Sequence, residues 1–202
     1  MPKRHSVSSV DPASTLAQAA LRLLAKEEWG QLTLTAIARS AKTPLRDVVA
    51  ITPTKSAVSG LILRMLTHDT ARRHNADSAS TDPRERLFDV TMTWFDVQHA
   101  HAVALKNLYR AMQHDPAMLL ALRGDVLDVS GELLALAEAD FGLSAQLQAA
   151  VFAGVLVRAV VAWRDDDEEM GKTMAQLDGD LRRIERFLWP KPAKPKKRSR
   201  KA

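Results

Sequence analysis

The stretch TLTAIARSAKTPLRDVVAITPTKSAV, residues 33–58, decides the fold of this chain. Thr33 precedes a short segment with apolar residues at helical spacing, and a hydroxyl at that position can cap the free backbone N–H groups of a helix. Thr43-Pro44 repeats the signal ten residues later, with a cap followed by proline at the first helical position. Pro53-Thr54 then opens a longer helix. The sequence therefore predicts consecutive helices, with a tight turn at Ala41-Lys42-Thr43 between the first two.

Apolar residues recur at helical spacing along nearly the whole chain, and no convincing stretch alternates as a strand would. The sequence predicts an all-α protein of about nine helices, four in an N-terminal head and five in a body. The first helix is expected to end near Trp29-Gly30, because glycine suits the left-handed residue that closes a helix. Asp82-Pro83 starts a body helix, and His114-Asp115-Pro116 interrupts another.

The net charge of +5 conceals a strong asymmetry along the chain. Residues 1–75 carry 11 Lys/Arg against 5 Asp/Glu, whereas residues 76–189 carry 11 against 19. Residues 190–202 carry seven bases and no acid, and this Pro/Lys tail could bind any polyanion. The asymmetry indicates an anion-binding head on a body that binds a neutral ligand or a second copy of the chain.

Several classes of function find no support in the sequence. The chain has no cysteine, which excludes disulfides, thiolate metal sites and cysteine nucleophiles. No phosphate-binding loop, nucleophile elbow or carboxylate pair stands out, so we expect no enzyme activity, no cofactor and no metal site. The acidic run at 165–169 is expected to cap the last helix. Because the first ten residues are polar, they do not form a secretory signal, and we expect a cytoplasmic protein.

The short helices with their tight turn are typical of a helix-turn-helix that binds DNA. The second helix of the pair would present its N-terminal residues to a groove, and backbone N–H groups at the start of the next helix would face a phosphate. The alternative is a small helical bundle with solvated charges. The residues concerned are Pro44, Leu45 and Arg46 at the groove, with Arg39, Lys42 and Lys55 around them.

Residues 13–66 resemble the N-terminal domain of TetR-type transcriptional regulators. The resemblance implies an all-α homodimer with a DNA-reading head and a ligand-binding, dimerising body. The residues that carry it are Ala19-Ala20-Leu21, Gly30, Thr33, Ile37-Ala38, Ala41 and the run from Pro53 to Val58. The DNA-contacting residues that it implies are Thr33, Lys42, Thr43, Pro44, Leu45, Arg46, Val49 and Lys55, of which Lys55 keeps the family's phosphate-contacting lysine.

The chain departs from the family pattern at three places in the head. Lys42 stands where the family usually has glycine in the turn, and Thr52 replaces an aromatic residue before the fourth helix. Val48-Val49 replaces a Leu-Tyr pair whose tyrosine commonly touches the DNA backbone. Near the other end, residues 162–178 resemble ubiquinone-biosynthesis accessory proteins, which share the TetR fold and no longer read DNA. A lipid- or isoprenoid-binding accessory protein of quinone biosynthesis is therefore the alternative function.

The helix at 147–163 is apolar nearly all round, since only Arg158 is polar between Ala149 and Trp163. A helix that is apolar on every face needs a second apolar partner. We expect a homodimer through the helices at 147–163 and 167–188, with Gly154 allowing close approach; the alternative is a central helix buried within one subunit. Fifteen apolar residues are too few to cross a bilayer, so no membrane span is expected.

Aromatic and methionine side chains on the body helices could line a cavity for a small apolar ligand or lipid. The alternative is that they form ordinary core. The candidates are Trp94, Phe95, Tyr109, Met112, Met118 and Phe152.

These patterns divide the chain into four parts. We expect a disordered arm at 1–12, a helix-turn-helix DNA-binding domain at 13–72, a helical ligand-binding and dimerisation domain at 82–189, and a disordered basic tail at 190–202. The function that they favour is a dimeric DNA-binding transcriptional regulator, expected to be a repressor, that binds double-stranded DNA under the control of a small apolar ligand.

Overall fold

Nine α-helices and no strand make up the part of the chain that the computed structural model describes, residues 11–74 and 80–188. The all-α class and the helix count are confirmed for these ranges. Residues 1–10 of the predicted arm and the predicted tail at 190–202 lie outside them. The helices are α1 Pro12–Leu24, α2 Leu34–Ala41, α3 Leu45–Ile51, α4 Lys55–Arg73, α5 Pro83–His99, α6 Ala102–Gln113, α7 Pro116–Leu136, α8 Ala145–Arg164 and α9 Gly171–Phe187.

Short polar side chains fix where most of these helices begin. Thr33, as predicted, accepts a hydrogen bond from a backbone N–H in the first turn of α2, and Thr54 and Asp82, which the sequence placed at helix starts, do the same for α4 and α5. Asp11 and Asp115 do the same for α1 and α7. Each oxygen satisfies a donor that has no partner within its helix, so these starts are encoded locally.

The predicted end of the first helix is wrong. α1 ends at Leu24, and the chain turns at Ala25 to bury Trp29 against the head. Among the described glycines only Gly142 has a left-handed φ, so Gly30 closes no helix. Burial of the tryptophan decided this boundary, and burial is a tertiary effect that the glycine rule does not contain.

The head is built by α1 packing on α2 and α4, with α2 packing on α3. Its core is an aliphatic cluster from which almost all solvent is excluded, and this holds the short α2 and α3 in place. The cluster includes Leu16, Ala20, Leu24, Ile37, Val48, Val58 and Ile62.

The body joins the head through α4, which also packs on α5 and α7, and through α6, which packs on α1. At 19 residues α4 is about 28 Å long, enough to run from one part into the other. α7 packs on α8, and α8 packs on α9, which also contacts α5. Phe95, Tyr109 and Trp163 form the aromatic centre of the body, with ring centroids 6.1 Å apart for Tyr109–Trp163 and 6.2 Å for Phe95–Trp163.

α8 contains the whole of the predicted segment at 147–163 and adds two residues at its start and one at its end. At 20 residues with a mean hydropathy of 1.7, it is long and apolar enough to cross a membrane by length and composition alone, so its length does not decide the question. A core helix passes the same test. Here Phe152, Leu156 and Trp163 of α8 are buried against the rest of the body.

Candidate nucleic-acid interface and apolar cavity

The turn between α2 and α3 keeps the geometry of a tight helix-turn-helix although it has no glycine. Lys42 takes the left-handed conformation, with φ 54°, and the N–H groups of Lys42 and Thr43 donate to the carbonyls of Arg39 and Ala38. A non-glycine residue in this conformation costs about 1 kcal/mol. The replacement of glycine by lysine therefore leaves the turn intact and adds a positive charge beside α3.

Thr43 does not cap α3, contrary to the prediction. Its hydroxyl donates to the carbonyl of Ala41 at 3.2 Å, inside the turn. α3 begins after Pro44 without a side-chain cap. The competing acceptor lies two residues away, which makes this the kind of local side-chain to backbone bond that threonine forms readily.

The outer surface of α3 is exposed and carries three of the residues predicted to contact DNA, with Pro44 directly before the helix. Val48 is fully buried and anchors the helix to the head. Leu45 and Val49, one turn apart, are 44% and 43% exposed, and Pro44 is exposed beside them. The Arg46 side chain is 86% exposed, with its Nε 3.4 Å from the carboxylate of Asp47. The structure thus brings Lys42, Pro44, Leu45, Arg46 and Val49 into one continuous surface.

Lys55 has an internal role that sequence reasoning missed. Its Nζ donates to the carbonyls of Trp29 at 2.8 Å and Gly30 at 3.4 Å, and it lies 4.9 Å from the centroid of the Trp29 ring. The ammonium therefore ties the start of α4 to the segment between α1 and α2. The 26 residues that separate Lys55 from Trp29 explain why no local pattern indicated the contact.

Thr33 and Thr52 also make contacts within the head. The Thr33 hydroxyl accepts from the N–H of Ala36, and fully buried Thr52 donates to the carbonyl of Thr54. Thr52 is therefore a structural residue between α3 and α4.

A cavity of about 220 Å³ lies in the body between α4, α5, α6, α7 and α8. Three of the six predicted ligand-binding residues, Trp94, Tyr109 and Met112, line it, together with Leu63 of α4. The other three, Phe95, Met118 and Phe152, are fully buried and pack elsewhere in the core.

The cavity lining is almost wholly apolar and contains no acidic residue. Burial raises the pKa of Tyr109, whose hydroxyl donates to Gln98, so this residue stays neutral. Trp94 Nε1 is buried and has no hydrogen-bond partner in the described part of the chain. Arg164 is the one charged lining residue, and its guanidinium pairs with the carboxylate of Asp165. This chemistry suits a neutral or anionic apolar molecule, whereas a cation would have no counter-charge.

The outward face of α8 carries a stripe of small and aliphatic residues. Leu147, Val157 and Val161 are 50%, 53% and 44% exposed. Together with the exposed Ala150 and Gly154 they are spaced alternately three and four residues apart, as in the contact seam of a coiled coil. We call residues 147, 150, 154, 157 and 161 the α8 stripe. Val157 and Val161 also line the cavity, so the stripe borders it.

α4 and α7 approach each other closely at Gly60. A Cβ atom added there would lie 2.5 Å from Asp125 Oδ2, and Arg64, one turn along α4, donates to Asp125 Oδ1 at 2.7 Å. Burial raises the pKa of Asp125, although Arg64 opposes the shift. The missing side chain at position 60 is thus what allows this ion pair to form between the helices.

Comparison with known proteins placed these features in a known architecture. No protein-family model and no curated protein matches the sequence. Among solved structures, the TetR transcriptional regulator from Nitrosomonas europaea ATCC 19718 aligns with a TM-score of 0.61 at 14% identity, over 85% of this chain and 96% of that chain. The TetR family repressor AlkX from Dietzia sp. strain DQ12-45-1b aligns with a TM-score of 0.54 at 12% identity, over 87% and 96%. The multidrug binding protein EbrR, complexed with imidazole, gives 0.54 at 23% identity, over 96% of each chain.

The chain has the TetR-regulator fold. The resemblance identified from residues 13–66 is confirmed at the level of the fold. The structural alignments also cover the body, where the sequence offers few motifs to compare. Within the TetR fold, the spacing of the α8 stripe is the missed feature that the sequence could have revealed. The contacts of Lys55 and Gly60 could not be predicted from the sequence, because each joins residues that are far apart in the chain.

Proposed function

We propose that the protein is a dimeric DNA-binding transcriptional regulator, a repressor whose operator affinity a small apolar ligand alters. The observation that carries the proposal is the exposed surface of α3, held by a tight turn in a head of the TetR fold. In this proposal residues 13–72 form the DNA-binding domain and residues 82–189 the ligand-binding and dimerisation domain. The protein acts in the cytoplasm and is not an enzyme.

Three exposed cations support DNA as the partner of the head. Arg39 lies in the last turn of α2, Lys42 lies in the turn, and Arg46 lies in the first turn of α3. A helix in the major groove places residues at its N-terminal end near base edges, while flanking bases contact phosphates. Lys55 contributes less directly than its sequence position implied, because its ammonium is already bound to two carbonyls.

The α8 stripe supports a second copy of the chain as the other partner. Pairing two stripes would bury the apolar side chains that one copy leaves exposed, and Gly154 would let the backbones approach closely. α9 adds Met174, 38% exposed, and Phe187, 73% exposed, as further apolar surface. The proposed interface therefore uses α8 and α9, as expected from the sequence.

The position of α4 supports control of DNA binding by a ligand in the cavity. Leu63 lines the cavity, and Lys55, two turns earlier, lies in the head. A ligand that prefers one position of α4 would shift the balance between two arrangements of the heads. The ligand class, neutral or anionic and apolar, follows from the lining. AlkX, a structural neighbour, is a repressor implicated in biodegradation of n-alkanes.

The test is recovery of the DNA that the full chain binds in a genome-wide pull-down. The proposal predicts discrete fragments, and for the variant Arg46→Ala a smaller ratio of operator to random-DNA affinity, because loss of a base-edge contact costs about 1–3 kcal/mol. Deletion of residues 190–202 is the control. It removes seven positive charges, so it should weaken binding to all DNA while leaving that ratio nearly unchanged. Absence of discrete fragments would overturn the proposal.

A second candidate function is a lipid- or isoprenoid-binding accessory protein that reads no DNA. The apolar cavity and the valine at position 49, which has no hydrogen-bond donor for a phosphate, favour it. Mass spectrometry of solvent extracts from natively purified protein separates the two. Recovery of a quinone or isoprenoid, without discrete bound DNA, would favour the accessory protein. Any bound molecule should be lost in Leu156→Trp, which fills the cavity. It should be retained in Val103→Trp, which alters an exposed residue of α6.

A further inference from the structure

The outward surface of α3 is unusually apolar for a helix that reads DNA. Leu45 and Val49 lie one turn apart along one side, and Ala50 is exposed next to them. None of these side chains can donate or accept a hydrogen bond. Only Arg46 and Asp47 among the exposed residues of α3 can do so, and these two lie 3.4 Å apart as an ion pair.

Burial does not explain this apolar surface. Val48 is fully buried and packs into the core of the head, whereas Leu45 and Val49 keep more than two-fifths of their surface exposed. Exposed aliphatic side chains at neighbouring positions mark a surface that contacts a partner. The charge around them selects the partner, because Arg39, Lys42 and Arg46 surround the patch and Asp47 is the only acid from Trp29 to His68. A polyanion that offers apolar groups between its charges fits this surface.

Duplex DNA offers such groups in its major groove. Each thymine presents a C5 methyl group there, and aliphatic side chains recognise thymine by contacting that methyl. The four residues from Leu45 to Val49 rise about 6 Å along the helix axis, which spans about two base steps of 3.4 Å. The two side chains can therefore reach methyl groups on nearby base pairs of one half-site.

We infer that Leu45 and Val49 read thymine methyl groups, so that the operator half-site contains thymines within two base steps of each other, flanked by the position that Arg46 reads. This inference rests on the proposed function, since it assumes that α3 enters the major groove. It adds two methyl contacts to the base-edge contact proposed for Arg46, which remains the main hydrogen-bonding reader.

The experiment uses the full chain and replaces thymine by deoxyuridine, which removes only the methyl group. A preferred duplex is first selected from random DNA, and each thymine in it is then replaced in turn while affinity is measured by competition. We expect about fourfold weaker binding at two thymines in each half-site, within two base steps of each other, as for the loss of one buried methyl group, and no change at the others.

Variants connect each methyl group to its side chain. Leu45→Ala and Val49→Ala should each bind more weakly and lose sensitivity to deoxyuridine at one position, while keeping it at the other. Val103→Ala, which truncates an exposed aliphatic residue on α6, is the matched control and should behave as the unaltered chain.

The outcomes distinguish this inference from the proposed function. If a preferred duplex is selected but every deoxyuridine replacement leaves its affinity unchanged, the methyl contacts are wrong and the regulator proposal stands. If no duplex is preferred, both the methyl contacts and the proposed regulator function are wrong. If Leu45→Ala and Val49→Ala weaken binding to random and selected DNA alike, the two residues support the head and do not read sequence.

Discussion

Asp166 holds the start of α9 without occupying its capping position. Met170 stands there in a left-handed conformation and supplies no side-chain acceptor. The buried Asp166 Oδ2 instead accepts from the backbone N–H of Thr173 at 2.7 Å and from its hydroxyl at 2.9 Å. Burial by itself would raise the pKa of this carboxyl, but the hydrogen bonds from Thr173 and Asp167 bring it below the ordinary value of 3.8.

The direction of that pKa shift predicts how Asp166→Asn changes stability with pH. A carboxyl whose pKa is lower in the folded state contributes stability that is present above pH 4 and is lost as the pH falls through the folded pKa. We expect Asp166→Asn to lower the free energy of unfolding by about 1–2 kcal/mol at pH 7. The difference from the unaltered chain should shrink below pH 4, as measured by urea unfolding across pH.

The matched control is Glu168→Gln, which removes one negative charge from an exposed neighbour. It should change stability by a few tenths of a kcal/mol at most. An equal loss in both variants would mean that the net charge of the 165–169 run matters and that the Asp166 hydrogen bonds do not.

At the scale of single residues, the sequence predicted those features that depend only on a few neighbouring positions in the chain. The helix starts at Thr33, Thr54 and Asp82 are predicted correctly because each side chain bonds to backbone within three residues of itself. The family resemblance implies that Lys55 contacts a phosphate, and its bonds to the Trp29 segment cannot be foreseen from the sequence, since they depend on how α1 packs against α4. The same applies to Trp94, Tyr109 and Met112, which only the packed helices distinguish from their core neighbours.

At the scale of the helix, α8 has two apolar faces, one packed against its own subunit and one exposed. Val155 faces the interior of its own subunit, whereas Val157 belongs to the exposed stripe. The sequence indicated apolar residues on all sides but not which side the body covers. The distinction decides which substitution tests association, because a charge at Val155 would disturb folding.

We expect the unaltered chain to sediment at twice its mass of 22.3 kDa at micromolar concentration and Val157→Glu to sediment at the single mass. Two-fold symmetry places each new carboxylate in the same apolar seam as its copy, where an unpaired charge is costly. Val103→Glu, which alters a residue 63% exposed on α6, should remain dimeric. A monomeric unaltered chain would remove the α8 interface from the proposal.

At the scale of the whole molecule, α4 contacts both halves along its length, and the packing of α1 on α6 adds a second contact between them. The first turn of α4 is bound to the α1–α2 segment by Lys55, its middle lines the cavity at Leu63, and Arg64 pairs with α7. The charge asymmetry of the sequence predicted two parts with separate tasks. It could not predict how the two parts are joined, because the join depends on contacts that packed helices make between residues far apart in the sequence.

The close approach at Gly60 has a consequence for how this protein can diverge. Residues 60 and 125 share one volume, since any Cβ at position 60 would overlap the Asp125 carboxylate. A lineage that acquires a side chain at position 60 must therefore shorten or redirect residue 125, and Arg64 then loses its partner. Among descendants of this chain the three positions should change together or not at all, which leaves a covariation signature linking α4 to α7.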